Sequence, residues 1–113
     1  MIDPQKVTFP ITGKQLAELQ RTEVGRELTA GELEMFSDIA DIANEVYEAA
    51  ARGDAETVQS ILDAINAAAA ADPNAYLVAA LCRGWVLLGC QRGAEQLKSA
   101  IDGNTTVGSE FLQ

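Results

Sequence analysis

The clearest pattern in the chain is a helical repeat of apolar and acidic positions between residues 30 and 52. At 100° per residue, the apolar side chains fall on one side of this segment: Leu33, Phe36, Ile39, Ala40, Ala43, Val46, Tyr47 and Ala50. Five acids, called the acidic face below, fall on the opposite side: Glu34, Asp38, Asp41, Glu45 and Glu48. The pattern predicts an amphipathic helix with one buried side and one acidic side.

Two capping signals mark the starts of helices. Thr12 and Gln15 stand three residues apart, as do Thr29 and Glu32, and each pair has the form of a capping box. In this motif the threonine hydroxyl accepts from a backbone N–H group of the first turn, and the later side chain accepts from the threonine N–H. Helices are therefore predicted to begin at both sites.

Glycine and proline positions predict where the later helices end. Gly53 is well placed to end the second helix, and Pro73 stands at the break between the third and the fourth. Gly89 and Gly93 are predicted to bracket a turn before a short last helix. The fold class predicted for residues 12–103 is therefore all-α, with about five antiparallel helices.

Residues 76–90 are predicted to form the central helix of this bundle. They carry a single charge, Arg83, and their apolar side chains do not keep to one face. A helix that is apolar all round has to be enclosed by its neighbours, and this one is shorter than the roughly 20 residues that span a bilayer. Gly84 costs about 1 kcal/mol in a helix interior, and we expect the compensation to be a close helix crossing there.

The two ends of the chain are predicted to lie outside the bundle. Apolar residues alternate between Val7 and Ile11 and Pro10 opposes a helix, so residues 1–11 are predicted to be an extended arm that packs on the body or on another copy. Residues 104–113 are predicted to be a flexible tail. The last six match what three consecutive cloning sites encode, and the functional hypotheses do not use them.

Charge and composition narrow the classes of function. Residues 32–72 hold ten acids and one base, so the whole net charge of −9 lies there, which repels nucleic acid and anionic membranes and attracts basic partners. The chain has no histidine, which removes Ser-His and Cys-His catalysis and most zinc sites, and it has no glycine-rich phosphate loop. We therefore predict a protein that is not an enzyme and holds no cofactor or metal.

The acidic face admits three interpretations. It is a solvated surface, a recognition surface for a basic partner, or a site for a hard cation. The last is the weakest, because one helix supplies the carboxylates in a row and not in a cage. These five acids are the partner-binding residues that the sequence predicts.

The two cysteines are predicted to be buried, unpaired thiols. Cys82 and Cys90 are eight residues apart on one predicted helix, about 12 Å along its axis, whereas a disulfide requires Cα atoms within about 7 Å. Unpaired thiols, together with the lack of a basic and apolar leader, favour a cytoplasmic protein.

From residue 51 onward, the order of helix and turn signals resembles that of tetratricopeptide-type αα-hairpins. Gly53-Asp54 stands where such a repeat turns, Asp72-Pro73 stands where one closes, and the spacing of 36 from Gly53 to Gly89 is near the family's period of about 34. The resemblance implies that the C-terminal half forms such hairpins around the central helix.

Two short stretches are also similar to the penultimate helix of the needle-subunit chaperones of type III secretion. They are Ala-Leu-Cys at residues 80–82 and Leu-Gly at residues 88–89. This resemblance implies a binding role, in which the protein shields an amphipathic helix of a secreted subunit beside a co-chaperone.

The hypothesis that the sequence favours is a non-enzymatic protein-binding module, an adaptor or small export chaperone, whose partner carries a basic or amphipathic helical segment. The binding surface is either the acidic face or an apolar groove formed by the arm and an unfilled core face, which would also permit a homodimer. The alternative is an acidic inhibitor that mimics nucleic acid, as in phage anti-defence proteins. Salt and neutralisation of the acidic face should release the target of a mimic and scarcely affect a groove-bound client.

Overall fold

The structure is a computed structural model that describes residues 7–112, with side chains described for residues 7–102. It contains four α-helices: α1 (Gly13–Val24), α2 (Ala30–Ala51), α3 (Ala55–Ala71) and α4 (Tyr76–Leu112). A single 3-10 turn at Pro73–Ala75 precedes α4, and no strand occurs within residues 7–112. The all-α prediction is therefore confirmed. None of the helices in this part of the chain is both long enough and apolar enough to cross a membrane.

The predicted capping boxes are both present. The Thr12 hydroxyl accepts from the Gln15 N–H at 3.1 Å, and the Gln15 side-chain oxygen accepts from the Thr12 N–H at 2.9 Å. Thr29 and Glu32 repeat this arrangement at the start of α2, with distances of 3.2 and 3.0 Å. These bonds satisfy N–H groups that have no partner within their own helix, so both helix starts are defined locally.

The central helix of the fold is α2, and the prediction that residues 76–90 are enclosed is wrong. The helix α2 packs against α1, α3 and α4, and it buries the side chains of Phe36, Ile39, Ala40, Ala43, Val46 and Ala49. In α4 the buried side chains of Cys82, Trp85 and Val86 lie on one face, while Tyr76 and Leu77 are 61% and 79% exposed. The helices of residues 7–112 are too few to cover every side of α4, so its apolar surface is only partly buried.

Residues 7–112 form four α-helices and not the predicted five, because α4 continues without a break through Gly89 and Gly93. Both glycines are buried against α2: a Cβ atom at Gly89 would lie 2.7 Å from the Ala43 carbonyl oxygen, and one at Gly93 would overlap the Tyr47 carbonyl oxygen. Glycine is needed here for close approach of two helices, not for a turn. The crossing predicted at Gly84 is absent, since a Cβ atom there meets nothing within 4 Å.

The described part of the arm packs on the body of the same chain. Val7 and Ile11 are buried in the core, and the Phe9 ring stacks on Tyr47 with centroids 5.4 Å apart. The Asn44 amide holds the arm to α2 through both backbone groups of Ile11, accepting from its N–H at 2.7 Å and donating to its carbonyl at 2.6 Å. Residues 1–6 of the predicted arm lie outside the described residues.

At the other end of the chain, α4 continues to Leu112, past the residue at which the sequence places the start of a tail. The side chains beyond residue 102 lie outside the described part, and the flexibility of residues 104–113 stays a prediction.

The glycines of α4 supply a matched test of the helix contact. Gly89→Ala should lower the free energy of unfolding by about 1–3 kcal/mol, because the new methyl group overpacks the contact with α2. Gly84→Ala, in the same helix but in open space, should raise it by about 0.5–1 kcal/mol through helix propensity. Thermal and urea unfolding measure both effects. If both substitutions stabilise the protein, the close α2–α4 packing is wrong.

The carboxylate of Glu32, which caps the start of α2, predicts that the stability of the fold depends on pH. The Arg26 guanidinium donates two hydrogen bonds to Glu32, at 2.9 and 3.0 Å, and with the Thr29 N–H it lowers the pKa of Glu32 from 4.5 to about 2. A carboxyl whose pKa is lower in the folded state stabilises the fold above its unfolded pKa, and this contribution is lost as the pH falls through the folded pKa.

We therefore expect the melting temperature of the wild-type protein to fall more steeply between about pH 5 and pH 2 than that of Glu32→Gln. Glutamine keeps the capping-box acceptor and removes the titrating charge. Glu34→Gln, two residues away on the same helix and outside the ion pair with Arg26, is the control for the loss of one negative charge. Equal slopes for Glu32→Gln and the wild type would contradict the ion pair.

Candidate partner-binding groove

The helices α2 and α3 and the N-terminal part of α4 border an open groove of about 610 Å³. A tight turn at residues 52–54 joins α2 to α3, and near it Val58 is the buried residue of α3. Farther from the turn the apolar side chains of α3 are only half-buried or exposed. The three helices therefore pack together at one end and leave an open groove at the other.

The inner surface of the groove is apolar. Its deepest residues are buried side chains of α2 and α4: Ile39, Ala79 and Cys82. Its walls consist of half-buried side chains of α2 and α3: Met35, Ile42, Ile61 and Ile65. Such a surface is complementary to the apolar stripe of an amphipathic helix, which presents side chains at the same helical spacing.

The two edges of the groove differ in charge. On the α2 edge, the exposed lining side chains are Glu34, Asp38 and Glu45, which we call the acidic rim. The exposed lining side chains of α3 and α4 are Ala64, Ala68 and Val78, which we call the uncharged rim.

Within the described side chains, the ion pairs with distances up to 4 Å involve other residues, and no hydrogen bond occupies a carboxylate of the acidic rim. These carboxylates are therefore available to a basic ligand, which need not displace a partner from the described part of the chain.

The five acids of the acidic face, which the sequence predicts as a binding site, do not all border the groove. Glu34, Asp38 and Glu45 line the groove, while Asp41 and Glu48 are exposed on α2 without lining it. The sequence predicts an apolar groove and the acidic face as two separate surfaces, and in the structure they adjoin. The prediction that the arm forms part of the groove is wrong for its described residues: α2, α3 and α4 line the groove, and the arm contacts Asn44 and Tyr47 of α2 instead.

The apolar lining was visible in the sequence only as helix periodicity. Ile61, Ile65 and Ala68 recur at helical spacing, as do Met35, Ile39 and Ile42, although of the second set only Ile39 belongs to the buried side that the sequence predicts for α2. Nothing in either stripe indicates that the chain leaves it partly uncovered. That depends on how α3 packs beyond the turn and on whether a further helix covers it, and none does within residues 7–112.

The thiol at the bottom of the groove is unpaired and buried. Cys82 is a free cysteine, and burial raises the pKa of its thiol. A raised pKa keeps the thiol protonated at neutral pH, so the group behaves as a small apolar side chain. Among the described residues, no group of three or more histidine, cysteine or acidic side chains is arranged to hold a metal ion.

Comparison with known proteins does not assign the chain to a family. No family model matches it, and no curated protein or solved structure is similar enough to count as a match. A functional proposal for this protein therefore depends on the groove and its charges.

Proposed function

We propose that the protein is a non-enzymatic binding module, an adaptor or small export chaperone, that holds an amphipathic helix of another protein in the groove. The observation that carries the proposal is the acidic rim beside an apolar inner surface. The apolar stripe of such a helix would cover Ile39, Ile42 and Ile61, and its basic residues would meet the carboxylates of Glu34, Asp38 and Glu45.

Apolar contact supplies most of the affinity in this proposal. Burial of one Leu- or Ile-sized anchor contributes about 1.5–3 kcal/mol, so three anchors contribute about 4.5–9 kcal/mol, against the roughly 2–5 kcal/mol that ordering a flexible helix costs. An exposed ion pair contributes only about 0.2–1 kcal/mol. The acidic rim therefore adjusts affinity and selects a basic partner, and it does not hold the partner by itself.

The chaperone form of the proposal comes from the resemblance of residues 80–82 and 88–89 to the penultimate helix of the needle-subunit chaperones, within a C-terminal half whose turn signals resemble those of tetratricopeptide hairpins. The short connections between α2, α3 and α4, which make them successive antiparallel neighbours, support it. A cytoplasmic location belongs to the same proposal, supported by the free thiols of Cys82 and Cys90.

A second candidate is an acidic inhibitor that mimics nucleic acid. It is favoured by the exposure of all five acids along one side of α2. These acids span residues 34–48, about 21 Å of helix, or roughly one charge per 5 Å, whereas one strand of DNA carries a phosphate every 3.4 Å. Because this row is sparser than the phosphates it would imitate, we place the groove-binding function first.

Three variants separate the two functions. The rim variant carries Glu34→Gln, Asp38→Asn and Glu45→Gln, and its matched control carries Asp41→Asn and Glu48→Gln on the same helix outside the groove. Ala64→Trp places a large side chain on the uncharged rim, where Ala64 is exposed, so it should obstruct the groove without disturbing the core. Circular dichroism and melting temperature establish that each variant is folded.

The probe is a synthetic 15-residue amphipathic helix with leucines on its apolar face and three lysines, measured by calorimetry at about 0.1 M salt. We expect Ala64→Trp to weaken binding more than tenfold and the rim variant to weaken it about tenfold, since three exposed ion pairs are lost. The control variant should stay within about twofold of the wild type.

At 1 M salt the wild type should keep measurable affinity, because screening removes the charge contribution and leaves the apolar one. Equal losses for the rim and control variants, with no effect of Ala64→Trp, would instead favour the nucleic-acid mimic and contradict the groove.

A further inference from the structure

The chemistry of the groove edges also restricts which amphipathic helix fits in the groove. This inference rests on the proposed function and specifies the length and the charge pattern of the bound helix. We infer that the occupant is a helix of about four turns whose basic residues lie along one flank of its apolar stripe, the flank that faces α2. Its opposite flank carries small or apolar residues. The basis is the placement of all the lining charges on a single edge.

The length follows from the residues that α2 contributes. The lining positions of α2 run from Gly31 to Glu45, which is about 21 Å of helix at 1.5 Å per residue. A helix lying alongside this edge uses about 14 residues, or four turns, to cover the same distance.

The restriction to one flank follows from desolvation. A lysine or arginine above Ala64, Ala68 or Val78 would lose water against methyl groups without gaining a carboxylate, which is unfavourable. The nearby acid of α3, Asp63, does not line the groove, and its carboxylate already accepts from the Gln59 amide at 2.9 Å. Basic residues are therefore stabilised on the α2 side alone.

The spacing of the acidic rim determines the spacing of the bases. Glu34, Asp38 and Glu45 are separated by four and seven residues, about one and two helical turns, so they project from one side of α2. Basic residues at the same spacing on the bound helix form one row, and this row lies beside the three carboxylates of the acidic rim. The basic row can lie on either flank of the apolar stripe, because a helix bound in the reverse direction turns its other flank toward α2.

The test uses two 15-residue peptides of identical composition, with the same leucine stripe and three lysines. In the flank peptide the lysines form one row at intervals of four and seven residues, and in the split peptide they are divided between both flanks. Calorimetry at 0.1 M salt should show the flank peptide binding the wild-type protein about tenfold more tightly. This preference should shrink to within about twofold for the rim variant, and also at 1 M salt.

The outcomes distinguish this inference from the proposed function. If both peptides bind the wild type equally and Ala64→Trp weakens both, the one-flank rule is overturned and the groove function stands. If neither peptide binds, or both bind Ala64→Trp as tightly as the wild type, both proposals are overturned. If sedimentation shows a dimer that Ala64→Trp dissociates, the occupant is a second copy of the chain, and the inference is likewise overturned.

Discussion

The structure depends on the close contact of two helix backbones, α2 and α4. Gly89 and Gly93 present no side chain to α2. They face Ala43 and Ala50 of that helix, so the two helices approach more closely than larger residues would permit. This contact fixes which side of α4 faces inward and buries Cys82, Trp85 and Val86 there. Because α2 receives α1 and the described arm residues elsewhere on its surface, it becomes the centre of the fold.

A groove stays open beside this contact. The turn of residues 52–54 joins the start of α3 to α2, and Val58 near it is buried, whereas the apolar side chains farther along α3 are only half-buried or exposed. Apolar side chains of all three helices then line a space that no described part of the chain fills. The acids of α2 project from the side opposite its core, and three of them border that space. Apolar surface and charge thus adjoin along α2. In the proposed function, the apolar surface provides affinity and the charge provides selectivity.

Several features could be predicted from the sequence because they are local. The capping boxes at Thr12 and Thr29 involve residues three apart, and the two faces of α2 follow from its 3.6-residue period. Two of the wrong predictions concern glycine, a residue type that serves more than one structural purpose. Gly89 and Gly93 are compatible with a turn or with a close helix contact, and only the position of the Ala43 and Tyr47 carbonyl groups distinguishes these uses. Gly84, predicted to mark a crossing, faces open space.

By itself, the sequence determined the helical class of the protein, the starts of α1 and α2, the side of α2 that carries charge, and the lack of a histidine-based catalytic set. These depend on interactions within a few residues or on composition alone. The tertiary structure decided which helix is central, whether α4 is one helix or two, and that Glu34, Asp38 and Glu45 border an apolar groove while Asp41 and Glu48 do not. An apolar stripe indicates that a surface favours burial, but whether another helix covers it depends on distances and crossing angles between segments far apart in the chain.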